Sequence, residues 1–399
     1  MKISNIKIRN FKSIKEMDLA LKDLNILIGP NGAGKSNFIS FFNFLNYVLE
    51  DNLDYYVKKQ GGADNLLHFG RNHSQEIFFR IDFDNKQYCF CNIEPLEGRD
   101  SLFIKEIFMS VSESDEWFEI TNEVIKNLKN KISANKSKAL QTLMGKRFSL
   151  KELNDSLKKL SFTKEEIDIV AHHAMSDRQI SEYMQKAFAA SKVYHFHDTS
   201  SSAKVKQICN INDNRFLRPD AGNLSAFLYF LQQKHTEHFN QIQDTIRLVA
   251  PFFSSFSLSP LKLNEEKICL EWKHRESDEY FNAYQLSDGT LRMISLATLL
   301  LQPELPDIIL IDEPELGLHP YAITILSNLL EIASEHSQII VSTQSVTLLE
   351  QFAPDDVIVI DRDNTQSSFK RLNEKELEIW LEDYTLGEIW EKNVIGGRP

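Results

Sequence analysis

The chain has 399 residues, 42% of them apolar and 26% charged, with a formal net charge of −12. That supplies enough apolar side chain for a buried core, in two domains or in one with a large insertion, and excludes a disordered or collagen-like chain. So negative a chain is not broadly coated for nucleic acid, and no stretch approaches the ~20 apolar residues that a membrane-spanning helix needs.

Residues 2–10 alternate apolar and polar, as a half-buried strand does, and Glu16–Leu21 repeat the pattern. The opening lacks the apolar segment of a secretion signal, so the expected compartment is the cytoplasm. Leu24–Ile28 is a nearly continuous apolar run and reads as a buried strand. A glycine-rich turn at 29–34 follows, and then a helix from about Lys35 to Leu49. Further strands are expected at 77–83, 87–93 and 103–111. Cys89 and Cys91 share one face of the second of these and read as buried thiols; with Cys209 and Cys269 they suit a reducing compartment.

From about 122 to 191 helix formers dominate and lysine is frequent, which predicts a helical insertion between 1–121 and 192–399. Thr163 with Glu166 three residues on is a capping-box signature. Between 122 and 160 there are ten Lys and Arg against three acids, an excess of +7 that leaves −19 on the rest. Two readings stand side by side: a solvated helical face, or a contact for DNA, RNA or an acidic partner. After a strand at 192–198, a helix is expected at 223–248 and strands near 255–262, 267–273 and 279–286. Then helix and buried strand alternate at 289–302, 307–312, 321–335, 338–343, 346–352 and 356–361, the mark of a mostly parallel sheet flanked by helices.

Gly29-Pro30-Asn31-Gly32-Ala33-Gly34-Lys35-Ser36 fits GxxxxGK[ST] and lies between a buried strand and a helix, the context the motif requires. Its glycines let the backbone curl so that N–H groups point at phosphate oxygens, and the helix start through Asn37 adds partial positive charge. Lys35 is placed to reach the β- and γ-phosphates, and Ser36 to ligate Mg²⁺. Ile308–Ile311 are apolar and end in Asp312 and Glu313. Such a strand delivers both carboxylates to the sheet edge where ligands bind. Alternation along a strand sends the two acids to different partners. Asp312 suits Mg²⁺ through its water shell, and Glu313 can orient and deprotonate an attacking water.

Gln285-Leu286-Ser287-Asp288-Gly289-Thr290 opens an apolar helix and alone is only a good N-cap. Just upstream of Ile308–Glu313, it resembles the signature of ABC ATPases, usually written LSGGQ. The resemblance implies that ATP and Mg²⁺ are bound, and that Ser287, Asp288 and Gly289 meet the γ-phosphate held by an opposite copy in a head-to-tail pair. Pro314–Pro320, with His319, resembles that family's D-loop region, and Ile339–Ser345 ends where it usually has a switch histidine; here the residue is Gln344. Glutamine can hydrogen-bond a γ-phosphate or a water but does not titrate near neutral pH.

Asn10-Phe11-Lys12-Ser13 looks like the opening of RecF, SMC and OLD-type ATPases, in which a basic residue, here Lys12, approaches the nucleotide. Leu386–Asn393 and Gly396–Pro399 resemble the tails of compact bacterial ATPases of that branch. Together these imply an α/β fold: an ABC-type ATPase head with a mixed N-terminal sheet lobe, a parallel P-loop sheet and a helical insertion. They imply an ATP hydrolase that switches by dimerising, in DNA repair or phage defence, beside a separate effector such as a nuclease or toxin. The alternative is a slow-hydrolysing scaffold that regulates a partner. About 55 residues follow Gln344, so no Toprim nuclease is expected, although Asp361-Arg362-Asp363 mimics its DxD. His195 and His197 share a strand face and read as packing or hydrogen-bonded side chains, or as a metal pair.

Overall fold

The computed structural model describes residues 2–110, 117–120, 122–128, 131–145, 147–174 and 191–398. Lys129 and Lys146 of the basic stretch, and residues 175–190, lie outside these. Two compact units emerge: Ile3–Ala20 with Phe44–Ala189, and Leu21–Asn43 with Ala190–Pro399. The helix Lys35–Leu49 contributes its first part to the second unit and its last part to the first. Among the described residues no helix is long and apolar enough to cross a membrane.

The first unit is built on a five-stranded sheet in the order Ile14–Ala20, Ile3–Phe11, Ile77–Phe83, Tyr88–Pro95, Leu102–Met109, every pair antiparallel. Its period-two pattern buries Ile6, Ile8, Phe79, Ile81, Cys89 and Cys91 completely. Burial pushes both thiols up, so they are inert core groups. Among the described residues four helices follow: Asn122–Leu128, Ala134–Gln141, Leu150–Lys159 and Lys164–Ala174. The Thr163–Glu166 capping box forms, with Thr163 N–H on Glu166 Oε2 at 2.8 Å and Glu166 N–H on Thr163 Oγ1 at 3.3 Å. A short antiparallel pair, Trp117–Glu119 with Arg147–Ser149, was not expected in a helical stretch; three residues are too few to display a period. The last helix is tied to the sheet because Met109 N–H donates to His172 Nδ1 at 3.3 Å, and burial holds that imidazole down at about 4. Residues expected as a separate insertion thus share a unit with the antiparallel sheet.

The second unit holds a six-stranded sheet in the order Gln366–Arg371, Val357–Asp363, Leu24–Ile28, Gln338–Ser342, Ile308–Asp312, Ser191–Tyr194. All pairs are parallel except the Gln366–Arg371 edge hairpin. The parallel strands are buried on both faces, as their continuous apolar sequences require. Against them pack the helices Asp288–Leu300 and Pro320–Ser334, through residues such as Leu291, Leu299, Leu326 and Leu330.

Several elements end earlier than the sequence suggested. The strand at 192–198 stops at Tyr194, and the one at 279–286 stops at Asn282, where a 3₁₀ turn, Ala283–Gln285, begins. The expected helix 223–248 is two, Leu224–Lys234 and Thr236–Val249, broken at His235, whose φ of −136° is not helical.

One polar residue interrupts the core of the Leu24–Ile28 strand. Asn25 is fully buried and spends its whole amide on neighbours. Its Oδ1 accepts from Lys22 N–H (3.0 Å) and Arg371 Nη2 (2.5 Å), and its Nδ2 donates to the carbonyls of Lys22 (2.7 Å) and Ile339 (3.2 Å). Asn25→Ala would take one acceptor from the half-buried Arg371 guanidinium and leave several backbone groups unpaired together, with an expected loss of about 3 kcal/mol in urea unfolding. A loss under about 1 kcal/mol would mean that water satisfies them instead.

Candidate functional site

Because its strands run parallel, the second unit collects the loops after Ile28, Ser342, Asp312 and Tyr194 at one edge of the sheet. The phosphate-loop residues lie there. Gly29, Gly32 and Gly34 have φ of 151°, 79° and 125°, the region that favours glycine. At Gly29 an added Cβ would sit 2.0 Å from the Ile360 carbonyl oxygen, so a side chain is excluded. Ala33 is buried, its N–H bonded to Pro30 O at 3.2 Å and its carbonyl accepting from Ser367 Oγ at 2.5 Å. Lys35 folds back so that its ammonium donates to the carbonyls of Gly29 and of Pro30, the latter at 3.2 Å. Burial lowers its pKa, while Glu313, Asp312 and Glu315 act to raise it. Ser36 is exposed, and the Asn37 carbonyl accepts from Ser40 Oγ at 2.9 Å.

Asp312 ends its strand with Oδ1 accepting from Ser342 Oγ. Glu313 lies outside the strand with φ of +42°. The two carboxylates do have different partners, but a left-handed residue, rather than strand alternation, sends Glu313 aside. Its N–H is held by Ser342 O at 2.8 Å. Its Oε1 accepts from Gln344 Nε2 at 2.6 Å, and the same amide nitrogen donates to Asn31 Oδ1 at 2.8 Å. One glutamine therefore joins the phosphate loop to the acid.

Ser287 caps the Asp288–Leu300 helix, with Thr290 N–H on its Oγ at 3.1 Å. Asp288 is exposed and reaches Lys206 Nζ at 3.4 Å. Gly289 faces the turn that carries Gly317 so closely that a Cβ would lie 2.3 Å from the Gly317 carbonyl oxygen. His319 is an N-cap as well, its Nδ1 accepting from Tyr321 N–H at 3.3 Å. Lys12 belongs to the first unit, where its Nζ donates to Gln60 Oε1 at 3.4 Å and burial lowers its pKa.

Three further residues bear on the site, and two of them, Arg292 and Glu315, were missed in the sequence. Arg292 is buried, with Nε on Phe196 O at 3.0 Å and Nη2 on His197 O at 3.2 Å. His197 Nε2 meets the Asp312 carbonyl at 2.6 Å. A carbonyl only accepts, so Nε2 carries the proton, and His197 is one of the hydrogen-bonded histidines expected. The third is Glu315, whose Oε1 accepts from Thr343 Oγ1 and from Gln344 N–H at 3.3 Å. Its Oε2 is buried without a partner. A lone arginine inside an otherwise apolar helix was the available signal for Arg292.

A phosphate-loop strand inside a mostly parallel sheet, an acid-tipped strand next but one to it and a helix capped by Ser287 define a P-loop ATPase fold of the ABC type. Residues 24–350 match the family described as "AAA domain, putative AbiEii toxin, Type IV TA system", and the chain belongs to that family. The fold is similar to an Smc head bound to the C-winged helix domain of ScpA, at 15% identity and a TM-score of 0.56, covering 95% of this chain and 100% of that one. It is also similar to the Smc head with an extended coiled coil from Pyrococcus furiosus, bound to the C-terminal domain of ScpA. There identity is 14% and the TM-score 0.51, over 96% of this chain and 98% of the other. No curated protein matches the chain.

Burial raises the Glu315 pKa above the model-peptide value of 4.5. The folded chain then holds this proton more tightly than the unfolded chain. The stabilisation is fully present below about pH 4.5 and is lost as pH rises through the raised value. Glu315→Gln removes the titration, so its stability relative to wild type should climb as pH rises from about 4.5 to neutrality. Urea unfolding across that range tests this; a difference flat with pH would contradict it.

Proposed function

We propose that the chain is an ATP-hydrolysing switch that closes head-to-tail with a second copy. The supporting observation is the Gln344 amide, bonded at once to Asn31 of the phosphate loop and to the Glu313 carboxylate. A side chain so placed can report whether a γ-phosphate is present to the group that acts on it. The backbone of Gly29, Asn31, Gly32, Ala33, Gly34 and Asn37 cradles the phosphates, and Lys35 exchanges its two carbonyl partners for β- and γ-oxygens. Ser36 and Asp312 offer hydroxyl and carboxylate oxygens, the hard donors that Mg²⁺ takes, and would hold it. Bound there, Mg²⁺ would neutralise charge on the β- and γ-phosphates.

Glu313 takes a proton from water as the water oxygen attacks the γ-phosphorus and the bridging oxygen leaves with ADP. Gln344 orients the water or the γ-phosphate without titrating. Ser287, Asp288 and Gly289 belong to the site of the opposite copy, where the N–H groups of the helix start meet its γ-phosphate, and His319 completes the nucleotide contacts. In this reading 1–121 and 192–399 serve as the ATPase head and 122–191 as its insertion, in a cytoplasmic protein. The setting proposed is phage defence beside a separate effector, with DNA repair as the other; the family's description itself names a toxin of a toxin–antitoxin system. In the insertion Lys131 pairs with Glu106 and Lys136 with Glu166, which leaves Lys126, Lys138, Lys151, Lys158 and Lys159 exposed for a nucleic acid or an acidic partner.

Glu313→Gln should bind ATP as wild type does, hydrolyse it at least ~10²-fold more slowly, and accumulate as an ATP-bound dimer on gel filtration. Wild-type turnover no faster than that of this variant would favour the slow scaffold.

Lys35→Ala should abolish ATP binding, whereas Ser287→Arg should bind ATP and fail to hydrolyse it. Mixing the two variants should restore part of the turnover, because one composite site of the heterodimer is undamaged. Proven heterodimers without any restoration would mean that each chain carries a complete site.

A further inference from the structure

The Leu386–Asn393 and Gly396–Arg398 stretches take no part in the chemistry above, yet Gly397 lies against the phosphate loop within the second unit. The helix Leu386–Glu391 buries Trp390 completely. The indole Nε1–H of Trp390 donates to the Gly397 carbonyl at 2.5 Å, and Gly397 N–H donates to Asp361 Oδ2 at 3.1 Å. Asp361 follows the buried Ile360 on the strand that flanks Leu24–Ile28 on the side away from Gln344. A tryptophan on one side and an aspartate on the other thus pin the Gly397 peptide.

The pinned residue abuts Gly29. A Cβ on Gly397 would lie 2.6 Å from Val359 Cγ1, 3.3 Å from the Ile360 carbonyl oxygen and 3.4 Å from Gly29 Cα. Gly397 has φ of +60°, so a side chain there meets backbone strain as well as crowding. The Gly29 carbonyl is one of the two that receive the Lys35 ammonium. A continuous path of contacts therefore runs from Trp390 and Asp361 through Gly397 and Gly29 to Lys35.

We propose that the Trp390–Gly397–Asp361 clasp is a positioning element for nucleotide binding, setting the backbone of Gly29, and through it Lys35, in the shape that accepts a triphosphate. This rests on the reading of residues 29–36 as the ATP site. Glu313 and Gln344 approach the loop from its other flank, so a loosened clasp weakens ATP binding and leaves the chemical step alone. A tail that merely closed the core would do the reverse: its loss would lower stability at unchanged affinity.

The test is ATP binding by titration calorimetry, with KM and kcat, on the full chain and its variants. Asp361→Ala, which removes the acceptor of Gly397 N–H along with that of Arg362 N–H, should raise Kd and KM about fivefold with kcat within about twofold, and Asp361→Asn, which keeps an acceptor oxygen for Gly397, should stay near wild type. Gly397→Ala adds crowding and strain and should weaken binding at least ~10-fold. Should Gly397→Ala fail to fold, the Asp361 pair decides. An Asp361→Ala chain that binds ATP as tightly as wild type overturns the clasp. An Asp361→Asn chain as weak as Asp361→Ala overturns it too, since the hydrogen bond would then not be the cause. Wild type that binds no ATP, or Lys35→Ala that binds it normally, overturns the reading of the site instead.

Discussion

The parallel register between Leu24–Ile28 and Gln338–Ser342 is the constraint on which the site depends. Pairing Ile26 with Val341 and Leu27 with Ser342 brings both strands to the same edge together, so Asn31 and Gln344 leave the sheet within hydrogen-bond reach. A one-residue slip would turn the strand's side chains to opposite faces and part the two amides. The buried Asn25 guards that register, since it bonds to Ile339 on one neighbouring strand and to Arg371 beyond the other. A polar side chain in an apolar strand specifies the alignment that the apolar residues alone would leave loose.

Around this axis the charges are arranged in mutual support. Lys35 is buried, which disfavours its charge, and three carboxylates on the adjoining loop offset that burden. Glu315 is the most enclosed of them, spends one oxygen on the turn that carries Gln344, and has its pKa raised by burial. Arg292 reaches from the Asp288–Leu300 helix to the carbonyls of Phe196 and His197, and His197 reaches the carbonyl of Asp312. The helix that opens with Ser287 is thereby linked by side chains to the backbone of Asp312. The near contact of Gly289 with Gly317 is a second junction between the same two segments.

Much of this was legible in the linear chain. The phosphate loop, its flanking strand and helix, and the Ile308–Glu313 strand depend on local patterns: glycine where φ is positive, continuous apolar runs where both faces are covered, Ser or His where a helix needs a cap. The Thr163–Glu166 box is local in the same sense and formed as read. Boundaries were less legible. The break at His235 and the early stop at Tyr194 answer to packing rather than to residues nearby, and an apolar period continues through both.

What the sequence by itself determined is therefore the chemical inventory and the parallel α/β class, because spacing along one strand or helix decides which groups share a face. Only the tertiary structure decided how the inventory is wired. That Gln344 bonds Asn31 and Glu313, that Arg292 meets Phe196 and His197, and that Gly397 lies on Gly29 are contacts between residues 31 to 368 positions apart. No local pattern encodes such a pair. It arises where close packing and the need to satisfy every buried polar group admit few arrangements, and a folded chain meets those conditions all at once.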